Sequence, residues 1–340
     1  CLGGLPKPFE VLELYPGSRH IDEALDHEVV ADQMRTITNC VIVDDYRFAA
    51  EWEDGLRQQG FFVISMDDLV RVHRSDILVD MKWRGPAGHG LYRDRVAEYT
   101  QLLLGPDFTI VAPALCKYEP KPQWPHPLNV LISLGGGGDL AIAASIARAI
   151  AEHAQVNFKP LEIYVVIGPM AIRQETLFAL SSQFANIHLV INQTDLYPYY
   201  CQTHFAITAA GGMIYELLAQ RIPAISFALA PNQESDPVLL GQLGHHFHIG
   251  DFSPADITQL TQLFSLLINH YPRATQLLED ALMPIDGKGP MRIATAIRDL
   301  MAGRNIQSMI PDAIVQEQNI GEALDNGYYV RPVEDRDINH

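Results

Sequence analysis

ITAAGGMIYELLAQRIPAISFALAPNQ, residues Ile207–Gln233, is the stretch whose pattern decides the fold. An apolar run closes on small residues and the pair Gly211–Gly212. Helical spacing follows through Met213–Gln220, Pro223 opens a second apolar run, and that run ends in a polar loop with Asn232 and Gln233. Strand, helix and strand in so short a space make a βαβ unit, and such units build parallel sheets covered on both faces. Glu216 stands about one turn into the helix, near its positive end. A carboxylate there can accept hydrogen bonds from the 2′- and 3′-hydroxyls of a ribose whose phosphates meet the glycines. A solvated helix carboxylate is the plainer reading of the same residue.

Upstream, Ser133–Ile150 reads SLGGGGDLAIAASIARAI. A strand ends, four glycines follow, and Asp139 stands where an N-cap would open a helix over Asp139–His153. Glycine lets a ligand approach the backbone closely, and a helix N-terminus offers free N–H groups, so the pattern suits a diphosphate. It has neither the G-x-G-x-x-G spacing nor the lysine of a Walker A loop, and a plain tight turn is the alternative. Further short runs rich in β-branched residues read as buried strands: Cys40–Asp44, Phe61–Ser65, Asn129–Leu134, Glu162–Gly168, Asn186–Val190, His204–Thr208 and Pro223–Leu229.

Four prolines in YEPKPQWPHP, Tyr118–Pro127, remove amide donors and block helix formation, which suits a linker. The expected organisation is a first domain over 1–117, a linker over 118–127, a second domain over 128–303 and an extension over 304–340. The 340 residues fit about two domains. With 48% hydrophobic residues, both can build a core. A net charge of −17 excludes a general nucleic-acid binder, since phosphate neutralisation needs a basic face. An apolar run long enough to span a membrane is absent from the sequence. Cys1, Cys40, Cys116 and Cys201 make no CxxC pair, which points to reduced thiols and a cytoplasmic setting. The first residues lack the basic and apolar regions of a signal peptide.

The phrase with Gly211, Gly212, Glu216 and APNQ, followed by GHHFHIGDF, resembles the C-terminal half of GT-B-fold nucleotide-sugar enzymes. Within that class the chain is most similar to the UDP-sugar hydrolases of pseudaminic acid biosynthesis, which release UDP from UDP-2,4-diacetamido-2,4,6-trideoxy-β-L-altropyranose. VIVDDY (Val41–Tyr46), MDDLVRVHRSDILVD (Met66–Asp80), Tyr92, LLLGPDFTIVAPAL (Leu102–Leu115) and DGKGPMRIATAI (Asp286–Ile297) follow that family's order and spacing. The resemblance covers roughly 21–300. It implies an α/β protein of two Rossmann-like domains facing each other across a cleft. It also implies hydrolysis by water, with no metal and no cofactor, of a UDP-sugar held as a small-molecule partner. Gly136 and Gly137 would face the phosphates, Gly211, Gly212 and Met213 the UDP, Glu216 the ribose, and Asn232 and Gln233 the sugar or diphosphate. Asp44 and Tyr46 would line the sugar side as the catalytic pair, and Tyr92 would contact the substrate. A GT-B glycosyltransferase using the same donor is the alternative, and a nucleotide-sugar-binding module without catalysis is a third reading.

The chain also departs from that family. The G-x-G-H-x-x-R-C loop that opens such enzymes and carries the expected base histidine does not precede Ile21, so the first βα unit is expected to be absent. GGGGD replaces the usual GG-Ser/Thr-Asp, and Lys82 stands where an Asn is common. These departures bear on catalysis and on the sugar rather than on the nucleotide. His89 in PAGHGLYRDR reads as a surface loop residue sooner than a substitute base, and Trp83, His89 and Tyr92 could stack on a sugar. His245, His246 and His248 with Asp251 resemble metal ligands in text, but no cysteine or second carboxylate joins them. Asp67, Asp68, Asp76 and Asp80 read as capping and solvated residues. Finally, YYVRPVEDRDINH (Tyr328–His340) resembles the opening of GNAT-type acetyltransferases; a C-terminal tail packed on the body is the other reading.

Overall fold

The computed structural model describes residues 23–117, 127–156, 160–193 and 195–303, with the short segments 322–323 and 329–330. Among these residues the chain divides into two units. One holds the chain up to Ile110 and takes it back from Lys288, and the other is Val111–Gly287.

In the first unit β1 (Cys40–Val43), β2 (Phe62–Met66), β3 (Ile77–Asp80) and β4 (Gln101–Leu104) pair in that order. All three pairings are parallel. Trp52 and Leu56 lie one turn apart on the helix Ala50–Gln58 and join Val30, Ala31, Val43, Phe61 and Val63 in one apolar layer. A second layer contains Ile64, Ile77, Val79 and Leu103 together with Ile293 and Ala296 of the helix Gly289–Met301. Burying each large apolar side chain stabilises the unit by roughly 1.5–3 kcal/mol.

That second layer corrects the expected domain limits. The helix Gly289–Met301 was assigned by sequence to the second domain, ending at 303, yet its apolar stripe is buried on the first sheet. Gly289 packs so closely on the Thr109 carbonyl and the Phe108 backbone that a Cβ has no room. The boundary also falls at 110–111 rather than at 117. The linker expected over 118–127 lies, apart from Pro127, outside the described residues. So does the extension over 304–340, except that Glu322–Ala323 pairs antiparallel with Tyr329–Val330. The expectation about the first βα unit concerns residues before 23, which are likewise outside them.

The second unit contains β5 (Leu128–Ser133), β6 (Gly137–Asp139), β7 (Leu161–Ile167), β8 (Met170–Ile172), β9 (Ile187–Ile191), β10 (Phe205–Ala209), β11 (Ala224–Ala228) and β12 (His248–Asp251). Six of them form one sheet in the order β12-β11-β10-β5-β7-β9, parallel throughout. The helix Ala141–Val156 covers it with Ala143, Ala147, Ile150 and Ala154, spaced as one stripe. Here too a local expectation changes. Asp139 does not open that helix: Gly137–Asp139 pairs in parallel with Met170–Ile172, and the helix begins at Ala141. Among the described residues no helix is long and apolar enough to cross a membrane.

Candidate functional site

Strand order locates the site. From β5 the chain moves to β7 and β9 on one side, then returns to β10 on the other side of β5. β10 pairs with β5 from Phe205 against Val130 to Thr208 against Ser133. Connections that leave two adjacent parallel strands in opposite directions open a crevice beyond their carboxyl ends. Three of the sequence motifs end there: Gly135–Gly136 after β5, Gly211–Gly212 after β10, and Pro231–Gln233 after β11.

The glycines have separate reasons to be there. Gly135 takes a φ of +107°, which side chains rarely adopt, and it is open to solvent. Gly136 is exposed, with nothing near the position of a Cβ, so a ligand can reach its backbone. Gly168, at the end of β7, packs directly on the Gly136 backbone and leaves no space for a side chain. The Met170 amide donates to the Gly136 carbonyl at 3.3 Å, which pins the loop. Gly137 is engaged in the pairing of β6 with β8. Of the expected phosphate-facing pair, Gly136 is thus exposed next to Gly135, and Gly137 belongs to β6.

The β10 and β11 loops meet. Gln233 Oε1 accepts from the Leu229 amide at 2.9 Å, which closes its own loop. Its Nε2 lies 3.9 Å from the position a Cβ on Gly211 would take. Gly212 is exposed, and Met213, Glu216 and Asn232 are half-buried. Glu216 is not a solvated helix residue. Burial pushes its carboxyl up, while Tyr200 Oη donates to Oε2 at 2.5 Å and opposes that shift. Sequence reading missed Tyr200. A buried tyrosine normally finds a partner for its hydroxyl, and the aromatic cluster YPYYCQ just before β10 is the available signal.

In the first unit the carboxyl end of the sheet is crowded with charge. Asp44 and Tyr46 follow β1 and are exposed. Tyr46 Oη donates to Asp68 Oδ1 at 2.5 Å. Arg71 Nη1 donates to the carbonyls of Tyr46 and Phe48, 3.0 Å each, and its guanidinium lies 5.4 Å from the Tyr46 ring centre. Arg71 Nε in turn donates to Asp67 Oδ1 at 2.7 Å. Behind this pair, His73 Nδ1 lies 2.7 Å from Glu53 Oε1 and Nε2 lies 3.5 Å from Asp67 Oδ2, an ionic contact. Ser65 Oγ donates to Glu53 Oε1 at 2.5 Å. Burial would lower the His73 pKa, but the carboxylates of Asp67 and Glu53 outweigh it and push it up to about 9.

Three expectations change here. Tyr92 is 0% exposed, and its hydroxyl donates to Asp80 Oδ2 at 2.8 Å, so it is an internal anchor with no surface for a substrate. Asp67 and Asp80 are buried rather than solvated, although both also cap backbone amides, of Leu69 and Arg71 and of Lys82 respectively. Asp76, paired with Arg57 at 3.0 Å, accepts from the Val63 amide at 2.9 Å. In the second unit, Ser226 Oγ bridges His245 Nε2 at 2.6 Å and His248 Nδ1 at 2.8 Å, so those rings are tied to the fold. Among the described residues no group of three or more His, Cys, Asp or Glu side chains is arranged to hold a metal ion. His89 is half-buried, and burial lowers its pKa.

Comparison with known proteins supports the architecture. No protein-family model matches the sequence. The chain is 23% identical over 219 residues to the spore coat polysaccharide biosynthesis protein SpsG of Bacillus subtilis (strain 168), a match that spans 62% of this chain and 64% of that protein. The structure is similar to UDP-GlcNAc 2-epimerase from Neisseria meningitidis bound to UDP-GlcNAc, with a TM-score of 0.54 and 13% identity, covering 80% of each chain. It is also similar to WaaG, a glycosyltransferase involved in lipopolysaccharide biosynthesis, with a TM-score of 0.51 and 13% identity, covering 87% of this chain and 88% of that one. At such identities the likeness speaks to the fold: an α/β protein of GT-B type, built from two Rossmann-like units.

Proposed function

We propose that this chain binds a UDP-sugar on the Val111–Gly287 unit and acts on it in the biosynthesis of a polysaccharide or related surface glycan. The observation that carries this reading is the meeting of three motif loops at the crevice between β5 and β10, with Glu216 held beside it. Exposed glycine backbone at Gly135, Gly136 and Gly212, with half-buried Gly211 beside it, suits a diphosphate, and the Glu216 carboxylate suits a ribose diol. Asn232 and Gln233 are assigned to the sugar or diphosphate. The SpsG relative belongs by name to polysaccharide biosynthesis, and the similar epimerase holds UDP-GlcNAc; both support the class of ligand.

The reaction we assign is cleavage between the anomeric carbon and the diphosphate with water as acceptor, Asp44 and Tyr46 acting on the sugar. Backbone N–H donors at the glycine loops would stabilise the charge that develops on departing UDP. The substrate assigned is of the UDP-2,4-diacetamido-2,4,6-trideoxy-β-L-altropyranose type, in the route to pseudaminic acid. Transfer to a sugar or lipid acceptor is the second reading, favoured by the glycosyltransferase among the similar structures. Release of UDP from a panel of UDP-sugars, with and without acceptors, decides between them. Release with water alone supports the hydrolase, release only with an acceptor supports the transferase, and failure to bind any UDP compound overturns both.

A further inference from the structure

We propose that Tyr200 is the positioning residue of the nucleotide site: its hydroxyl orients the Glu216 carboxylate to receive the ribose diol. This inference rests on the UDP reading above. Tyr200 and Glu216 come from helices on either side of β10, Tyr197–Gln202 before it and Met213–Ala219 after it. Their hydrogen bond therefore ties the helix that leads into β10 to the helix that leaves it through Gly211–Gly212. Tyr200 is 1% exposed, and its amide donates to the Leu196 carbonyl at 3.0 Å, so both ring and backbone are fixed.

The chemistry gives this bond a purpose beyond packing. Burial drives Glu216 toward the neutral acid, which would turn an acceptor oxygen into a donor. Tyr200 is the titratable group that bears on Glu216, and it favours the carboxylate. The Tyr200 phenol is itself pushed far up, by burial and by Glu216, so it remains a donor over the working range of pH. An ionised carboxylate offers about four acceptor positions. Tyr200 takes one of them, on Oε2, and fixes the plane in which the others are presented.

The test compares binding of UDP with binding of 2′,3′-dideoxyuridine diphosphate by calorimetry, which isolates the diol from the rest of the ligand. The unmodified protein is expected to prefer UDP by about tenfold or more, as for hydrogen bonds to a charged group. Tyr200→Phe, which keeps the ring, should bring the preference to within about twofold, as should Glu216→Gln. A purely structural role for Tyr200 would weaken both ligands alike and leave the ratio unchanged, and that result overturns the proposal. p-Aminophenylalanine at position 200 keeps a donor and should retain the preference; its loss there also overturns the proposal, whether or not Tyr200→Phe folds. Unmodified protein that binds neither diphosphate overturns the UDP reading itself. Equal affinity for the two overturns the role of Glu216 and this inference with it.

Discussion

His73 and His245 are equally hidden, at 1% and 3% exposure, and end in opposite charge states. His73, in the first unit, sits between Glu53 and Asp67 and is pushed up to about 9. His245, in the second, meets Ser226 Oγ with His248 and His246 nearby, and burial followed by those neighbours pushes it down to about 3. Burial alone disfavours charge, so the partner decides the sign. The same contrast separates the two sheet edges. The first unit arranges its loops with buried ion pairs, whereas the second presents glycine backbone and the Glu216 carboxylate at its crevice. A doubly charged diphosphate fits the second edge far better than the carboxylate-rich first one.

The largest expected effect comes from breaking the charged side of this comparison. Glu53→Ala leaves His73 without its closest acid and should cost about 3–5 kcal/mol, read as lost protection of β2 and β3 amides in hydrogen exchange. The His73 titration should move down in the same variant.

Changing pH probes both histidines at once. The His73 contribution is fully present below its ordinary 6.5 and is lost as pH rises through about 9, up to roughly 3 kcal/mol. His245 runs the other way: its contribution is present above 6.5 and lost as pH falls through about 3. Exchange protection should therefore fall in β2–β3 on the alkaline side and in β11 on the acid side. The same dependence in both units would overturn the assignment of opposite charge states.

Smaller effects sharpen the second edge. Gly168→Ala places a methyl group against the Gly136 backbone and should cost about 1–3 kcal/mol in thermal unfolding while weakening UDP binding. Ser226→Ala removes the bridge between two ring nitrogens and should cost about 1–2 kcal/mol, leaving UDP affinity unchanged. A variant that weakens UDP binding here would extend the site to β11's interior.

Much of the architecture was legible because apolar runs and glycine turns are local. The runs at Phe61–Ser65 and His204–Thr208 correspond within one residue to β2 and β10. The strands β3 and β4 were harder to see, since each is four residues long and β3 ends on the buried charge of Asp80. The three motifs of the candidate site were also visible, down to Glu216 and Gln233. Tyr92 was misplaced because an aromatic residue reads alike whether it faces a ligand or the Asp80 carboxylate. Asp67 reads as a solvated cap because nothing in its spacing shows that the chain turns back to set His73 and Arg71 against it.

The sequence by itself determined the class of structure: short apolar strands alternating with amphipathic helices can only bury both faces of a parallel sheet by layering. Tertiary structure alone decided that β5 lies beside β10, across a sequence separation of 75 between Asn129 and His204, whose backbone and ring meet. It alone put the Gly289–Met301 helix on the first sheet and Tyr200 against Glu216. Periodicity tells a strand which faces to bury; it does not name the neighbour to which its amides and carbonyls bond.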